Sequence, residues 1–247
     1  MSAIKHEHPS ANITHLPLDL SSFQSISAAA SQVKSESKRL DILMNNAGIM
    51  AVPRGDTAED YEIQFGTNHM GHALLTKLLM PTMLATAKEP GSDVRIVNMT
   101  SDGHNMARSP DILLDKTKLN ASGAWIRYAY SKLANVLFAQ GLAKHYPSIT
   151  SVSIHPGVIA TDLWNPTVKS NWVVTMGVNL FGGLRGTVAT GAQNQLWAAT
   201  GKKEEVVNGG LYYPIGVLNG GSPCARNKEL ADELWEYTEK ELAAKGF

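Results

Sequence analysis

Cysteine is nearly absent: Cys224 stands alone in 247 residues. One thiol cannot build an internal disulfide framework or a cysteine-based metal cluster, and the expected setting is a reducing one, the cytoplasm. An excess of either charge is also lacking, because 22 Lys and Arg balance 22 Asp and Glu. Bulk charge therefore recruits neither nucleic acid nor an anionic membrane surface. Long apolar runs are missing too. The opening MSAIKHEHPSANITH has no continuous apolar segment of the secretory kind, and VVTMGVNLFGGL (Val173 to Leu184) is too short and glycine-interrupted to span a bilayer. Internal repeats, low-complexity tracts and linkers are absent as well. What remains is ordinary for a soluble chain, 43% hydrophobic and 18% charged. Its length can bury one large core, so residues 1–247 are read as a single domain.

Apolar, β-favouring runs alternate with longer helical patterns, the sequence sign of a parallel sheet with crossover helices. Strands are predicted at Asn12 to Leu20, Leu40 to Gly48, Val94 to Ser101, Ile149 to Gly157 and Gly209 to Ile215. Helices are predicted at about Ser22 to Lys38, Ala58 to Ala87, from Tyr128 onward, about Gly186 to Ala199, and near Asn227 to Lys245. FGGLRG (Phe181 to Gly186) and GVLNGGSP (Gly216 to Pro223) read as loops. The fold class is α/β, a doubly wound parallel sheet. In such sheets ligands bind beyond the carboxyl ends of the strands. Asn46, Ser101 and Pro156-Gly157 all lie just past such ends, so residues far apart in sequence become neighbours in space.

The stretch RYAYSKLANVLFAQGLAKHY (Arg127 to Tyr146) places two tyrosines and a lysine at the start of a helix. Residues four apart share a helical face, so Tyr128 stands with Lys132 and Tyr130 does not. Ala129, Leu133, Val136, Leu137 and Gln140 form a stripe that packs, leaving the Tyr128/Lys132 pair at its margin. A free phenol, with a pKa of about 10, is a poor acid or base at neutral pH. An ammonium one turn away favours the phenolate and would equip Tyr128 for proton transfer. A packed tyrosine beside a solvated lysine is the plainer alternative. His69 and His72 sit three apart on a helix with no carboxylate or cysteine partner at a metal-binding spacing, and no metal is expected.

Five motifs occur in order: NNAG (Asn45 to Gly48), NHMGHALLT (Asn68 to Thr76), RIVNMTS ending at Ser101, YAYSKLANVLF (Tyr128 to Phe138) and HPGVIATDL (His155 to Leu163). Together they resemble the short-chain dehydrogenases/reductases, and the wording NHMGH and YSKLANVLF is similar to the retinol-dehydrogenase-like branch. The resemblance covers the chain from about Asp19 onward. It implies a Rossmann-like oxidoreductase that interconverts a carbonyl and an alcohol by hydride transfer with NADP, or alternatively NAD. In that pattern Tyr128 exchanges the proton, Ser101 bonds the reacting oxygen, Lys132 tunes Tyr128 and holds the nicotinamide ribose, and Asn68 holds a relay water. Asp19 would meet the adenine, and Asn46, Ala47 and Gly48 would line the cofactor cleft. Pro156, Gly157, Val158 and Thr161 would face the nicotinamide and phosphate side. Trp164, Trp172 and Phe181 suggest a bulky apolar small-molecule substrate, and the family's habits leave a homo-oligomer open.

One family feature has no counterpart. The pattern begins with a strand, a T-G-x-x-x-G-x-G turn, a helix and a second strand, whose backbone N–H groups meet the cofactor's pyrophosphate. This sequence starts almost at what resembles the third strand. The expectation is an N-terminally truncated domain whose Leu40 strand lies on an apolar edge, unless the Asn12 strand shifts across to pair with it. Weak dinucleotide binding follows from the missing turn. A non-catalytic binding or regulatory relative, pairing its edge with a partner, is the alternative from a different functional class.

Overall fold

Five strands hydrogen-bond in the order in which they occur: β1 (Ile42–Asn45), β2 (Arg95–Met99), β3 (Thr150–Ile154), β4 (Leu211–Tyr213) and β5 (Val217–Asn219). The first four run parallel, and β5 returns antiparallel to β4. The computed structural model describes residues 2–157, 159 and 186–247. The sheet is set by β2, RIVNM, which is buried along its whole length, as a strand covered on both faces must be.

The pleat sends alternate residues of these strands to opposite layers. Leu43 and Ile96 join the larger core with helices α1 (Phe23–Glu36), α2 (Gly71–Ala87), α3 (Ala124–His145) and α5 (Lys228–Ala244). Val97, Met99, Val152, Ile154 and Tyr212 face the other way, against Ala198 and Ala199 of α4 (Val188–Thr200). The helix signals are local and physical. Asn227 caps α5 by accepting from the Leu230 N–H at 3.0 Å, and Leu230, Leu234, Thr238 and Leu242 recur along its buried face.

Two expectations are corrected. Asn12 to Leu20 forms no strand: its residues are largely exposed, and only Leu20 is buried. An extended segment without a partner has no ladder to satisfy its N–H and C=O groups, and Pro17 lacks a donor altogether. β1 is accordingly the sheet's edge, with Ile42 38% exposed. GVLNGGSP does not stay a loop, because Val217–Asn219 pairs with β4 as β5. The helix bearing Tyr128 also begins one turn earlier than expected and is buried almost all round rather than along a stripe, since the sheet and α5 both pack against it.

Candidate active site

Ser101 lies two residues beyond the end of β2 and caps a turn over Asp102–Met106, its Oγ accepting from the Gly103 N–H at 3.1 Å. The Tyr128 ring comes from α3 to the same turn, where the Ser101 hydroxyl acts to lower the phenol's pKa. Lys132, one turn further along α3, holds its Nζ 5.8 Å from the centre of the Tyr128 ring and donates to the Met99 carbonyl at 3.2 Å. All three groups are thus placed by the end of one strand and one helical face. Tyr128 and Lys132 are only 4% and 3% exposed, so they are buried with the packed stripe and not at its margin.

Dryness controls the ionisation. Burial pushes the Tyr128 phenol above its ordinary range, and the Ser101 hydroxyl draws it only part of the way back. Burial also pushes the Lys132 ammonium down to about 8. The expected depression of the tyrosine by the lysine does not prevail in this state, because burial of the phenol itself outweighs what lowers it. Tyr128 stands as a protonated phenol.

Asn68 falls in a π-helical turn, Gly66–Met70, immediately before α2, a distortion often found at functional sites. Its side chain makes three hydrogen bonds. Oδ1 accepts from the Ile49 N–H, while Nδ2 donates to the Ile49 carbonyl and to Ser131 Oγ, each at 2.9 Å. Its main-chain carbonyl is approached by His72 Nδ1 at 2.9 Å. Burial holds His72 down at about 4, so it is neutral and donates to that carbonyl. His69 instead bonds Thr238 of α5 at 2.9 Å. Among the described residues no cluster of three metal-ligating side chains occurs.

The loop after β1 is clamped to the same place. Gln64 Oε1 accepts from the Ala51 N–H at 2.7 Å and its Nε2 donates to the Ala124 carbonyl at 2.9 Å. Arg127 donates to the Val52 carbonyl at 3.0 Å and to Glu62 at 2.5 Å, in an ion pair whose partners are both 2% exposed. Met50 and Ala51 are thereby pressed against Tyr128, with Trp125 beside it in an edge-on contact at 6.4 Å. The result is an apolar wall next to the phenol. Glu62, Gln64 and Arg127 went unmarked in the sequence, and only Arg127's place beside Tyr128 hinted at them.

The other expected site residues divide into two groups. Gly48 joins the cluster: a Cβ there would lie 3.0 Å from Asn68 Oδ1 and 3.2 Å from Lys132 Nζ, so only glycine lets the loop come so near. Asn46 and Ala47 are exposed, Asn46 accepting from Gln195 at 3.3 Å. Gly157 takes a left-handed φ of +89°, and with Pro156 it is half-buried beyond the end of β3. Asp19 is exposed, and Ser21 holds its carboxylate below the usual range through two hydrogen bonds. Val158, Thr161, Trp164, Trp172 and Phe181 lie outside the described residues.

A nicotinamide cofactor fits one end of this arrangement. Gly48 and Gly157 leave room for close approach, and Lys132 offers a donor. At the other end, the described residues contain no glycine-rich strand–turn–helix for a pyrophosphate.

Lys132 makes a stability test available. Its folded pKa lies below the unfolded value, so between about 8 and the ordinary lysine range the unfolded chain binds more protons. Stability rises with pH across that window and is penalised in full below it. Lys132→Met removes the buried charge, and the Met99 carbonyl keeps its hydrogen bond from Asn135 at 2.9 Å. The variant is expected to unfold at a higher temperature at pH 7, by up to roughly 3 kcal/mol at ~1.4 kcal/mol per pH unit of displacement, and to lose the rise toward pH 10. A lower melting temperature at pH 7 would contradict the assignment.

The chain is similar to known proteins over most of its length. A family model described as short chain dehydrogenase matches residues 1–111. The short-chain dehydrogenase/reductase drtF of Aspergillus calidoustus is 34% identical over 98% of this chain and 81% of its own length. Human retinol dehydrogenase 12 is 35% identical over 96% of this chain and 72% of its own. Among solved structures, NADPH-bound carbonyl reductase from chicken fatty liver superposes with a TM-score of 0.61 at 22% identity, covering 88% of this chain and 80% of that one. The 3-oxoacyl-[acyl-carrier protein] reductase of Brucella melitensis, in complex with NAD, gives 0.63 at 24% identity, covering 87% and 82%. These two structures show the fold alone.

Proposed function

Because the chain belongs to the short-chain dehydrogenase/reductase family of nicotinamide-dependent oxidoreductases, we propose that it reduces the carbonyl of a bulky apolar aldehyde or ketone to the alcohol. The observation behind this reading is the Tyr128 phenol, buried and protonated, with the half-buried Ser101 hydroxyl beside it and an apolar wall of Met50, Ala51 and Trp125 against it. A bound nicotinamide would supply the hydride. Tyr128 then gives its proton to the carbonyl oxygen as negative charge develops there, and Ser101 donates a hydrogen bond to the same oxygen. Lys132 is proposed to hold the nicotinamide ribose and to return a proton to Tyr128, and Asn68 to act in that relay through its main-chain carbonyl. Gly48, Pro156 and Gly157 would border the nicotinamide, with Asn46 and Ala47 further out along the cleft. A buried phenol held above its usual range is protonated at neutral pH, the form that can donate to a carbonyl oxygen. We take the cofactor as NADP, with NAD as the outcome that would displace it.

The test compares reduction of a two-carbon aldehyde and a long polyunsaturated aldehyde, each with saturating NADPH and with NADH. The expected result is a higher kcat/KM for the long aldehyde, a preference lost on Trp125→Ala. Equal rates for both aldehydes would remove the apolar-substrate reading. The edge position of β1 among the described strands favours the second reading, a non-catalytic binding relative, and absence of turnover with either cofactor would select it.

A further inference from the structure

Where β2 and β3 part, their hydrogen-bonded ladder ends for a covalent reason. Met99 stands opposite Ile154, and the Thr100 N–H still donates to the Ile154 carbonyl at 2.8 Å. Two residues on, the donor due from β3 would be Pro156, which has no N–H. The ladder stops there, with Ser101 past the end of one strand and Gly157 past the end of the other. The gap is crossed by a side chain: the backbone N–H of Asp102 donates to His155 Nδ1 at 3.3 Å.

His155 is itself firmly held. Its N–H donates to the Tyr212 carbonyl at 2.8 Å, its carbonyl accepts from Asn194 at 2.7 Å, and its ring meets Tyr213 edge-on at 5.0 Å. Tyr213 closes the circuit, donating to Asp102 Oδ1 at 2.6 Å, where Asn105 also donates at 2.8 Å. The ends of β2, β3 and β4 are thus tied together through one imidazole and one aspartate. An N–H cannot donate to an N–H, so His155 must keep Nδ1 unprotonated and carry its proton on Nε2.

We propose that His155 is a positioning residue for Ser101, its bare Nδ1 fixing the Asp102 amide and so the turn that aims the Ser101 hydroxyl at the cleft. The proposal rests on the reading of Ser101 given above. Protonation of Nδ1 converts the acceptor to a donor and opens the link. The charged and titratable groups facing the ring are Asp102 and His104 from the turn and Tyr213 from β4. Burial and His104 oppose the imidazolium while Asp102 favours it, and burial leads, so the link is closed at neutral pH. His104 makes a different contact: its Nδ1 meets the Ser101 carbonyl at 2.7 Å, and its buried Nε2 has no hydrogen-bond partner among the described residues.

The test needs no cofactor. Nitrogen-15 NMR of the chain is expected to show His155 as the Nε2–H tautomer near pH 7. On acidification the Asp102 amide should shift and lose exchange protection with the same midpoint as the His155 ring. His155→Asn, which keeps an acceptor, should hold the amide protected without that titration, and His155→Leu should leave it unprotected at every pH. A His155 Nδ1–H, an Asp102 amide indifferent to the titration, or full protection in His155→Leu would overturn the link. The kinetic arm is separate: at neutral pH His155→Leu should lose turnover by up to about 10²-fold with cofactor KM unchanged, and His155→Asn should recover most of it. A broken link with unchanged turnover would overturn the positioning of Ser101 while leaving the link itself established.

Discussion

Tyr128→Phe is expected to lower carbonyl reduction by about 10²- to 10⁴-fold, the usual contribution of a positioned acid or base, which is about 3–5 kcal/mol of barrier. Cofactor binding should be nearly unchanged, because one hydroxyl is removed and the ring keeps its contacts with Met50, Ala51 and Trp125. Lys132→Ala should damage both turnover and binding. Tyr130→Phe should leave turnover intact. Its hydroxyl points away into the larger core, where it donates to the Ser109 carbonyl at 2.9 Å. Steady-state rates and cofactor titration of the three variants decide the matter. A Tyr130→Phe variant that is the inactive one would refute the assignment of the two tyrosines.

The second large effect concerns stability. Arg127→Met leaves the Glu62 carboxylate buried without its countercharge, and breaking such a pair on one side typically costs about 3–5 kcal/mol. Thermal unfolding should fall by roughly 10 °C, at about 2–4 °C per kcal/mol for a chain of this size. Replacing both partners, Arg127→Met with Glu62→Gln, should recover much of that loss. The Glu62 carboxylate also accepts from the Gln64 and Phe65 N–H groups, a role that glutamine can keep. A single variant as stable as the parent would mean that the pair contributes nothing to holding the loop after β1.

Much of this was legible because it depends on local patterns. Chain alternation located β1 to β4 and the main helices, and the positions of Ser101 and Gly157 past strand ends followed from topology alone. Four-residue spacing correctly separated Tyr128 from Tyr130. Other features depend on partners far away in sequence. Asn12 to Leu20 has a strand-like pattern and no neighbour to pair with. β5 exists because Val217–Asn219 can fold back on β4. The clamp of Glu62, Gln64 and Arg127 uses residue types that are usually solvated, and nothing local marks them as buried. The direction of the Tyr128 shift is hidden for the same reason: helical spacing shows that Lys132 is near, whereas burial of the phenol raises it.

The most direct test follows the hydride and the proton together. The chain is incubated with a long apolar aldehyde and NADPH deuterated at the transferable position, and the alcohol is analysed by mass spectrometry. The account predicts one deuterium on the carbinol carbon, formed at a rate that collapses in Tyr128→Phe. Alcohol without deuterium, or deuterated alcohol formed equally fast by Tyr128→Phe, would contradict it.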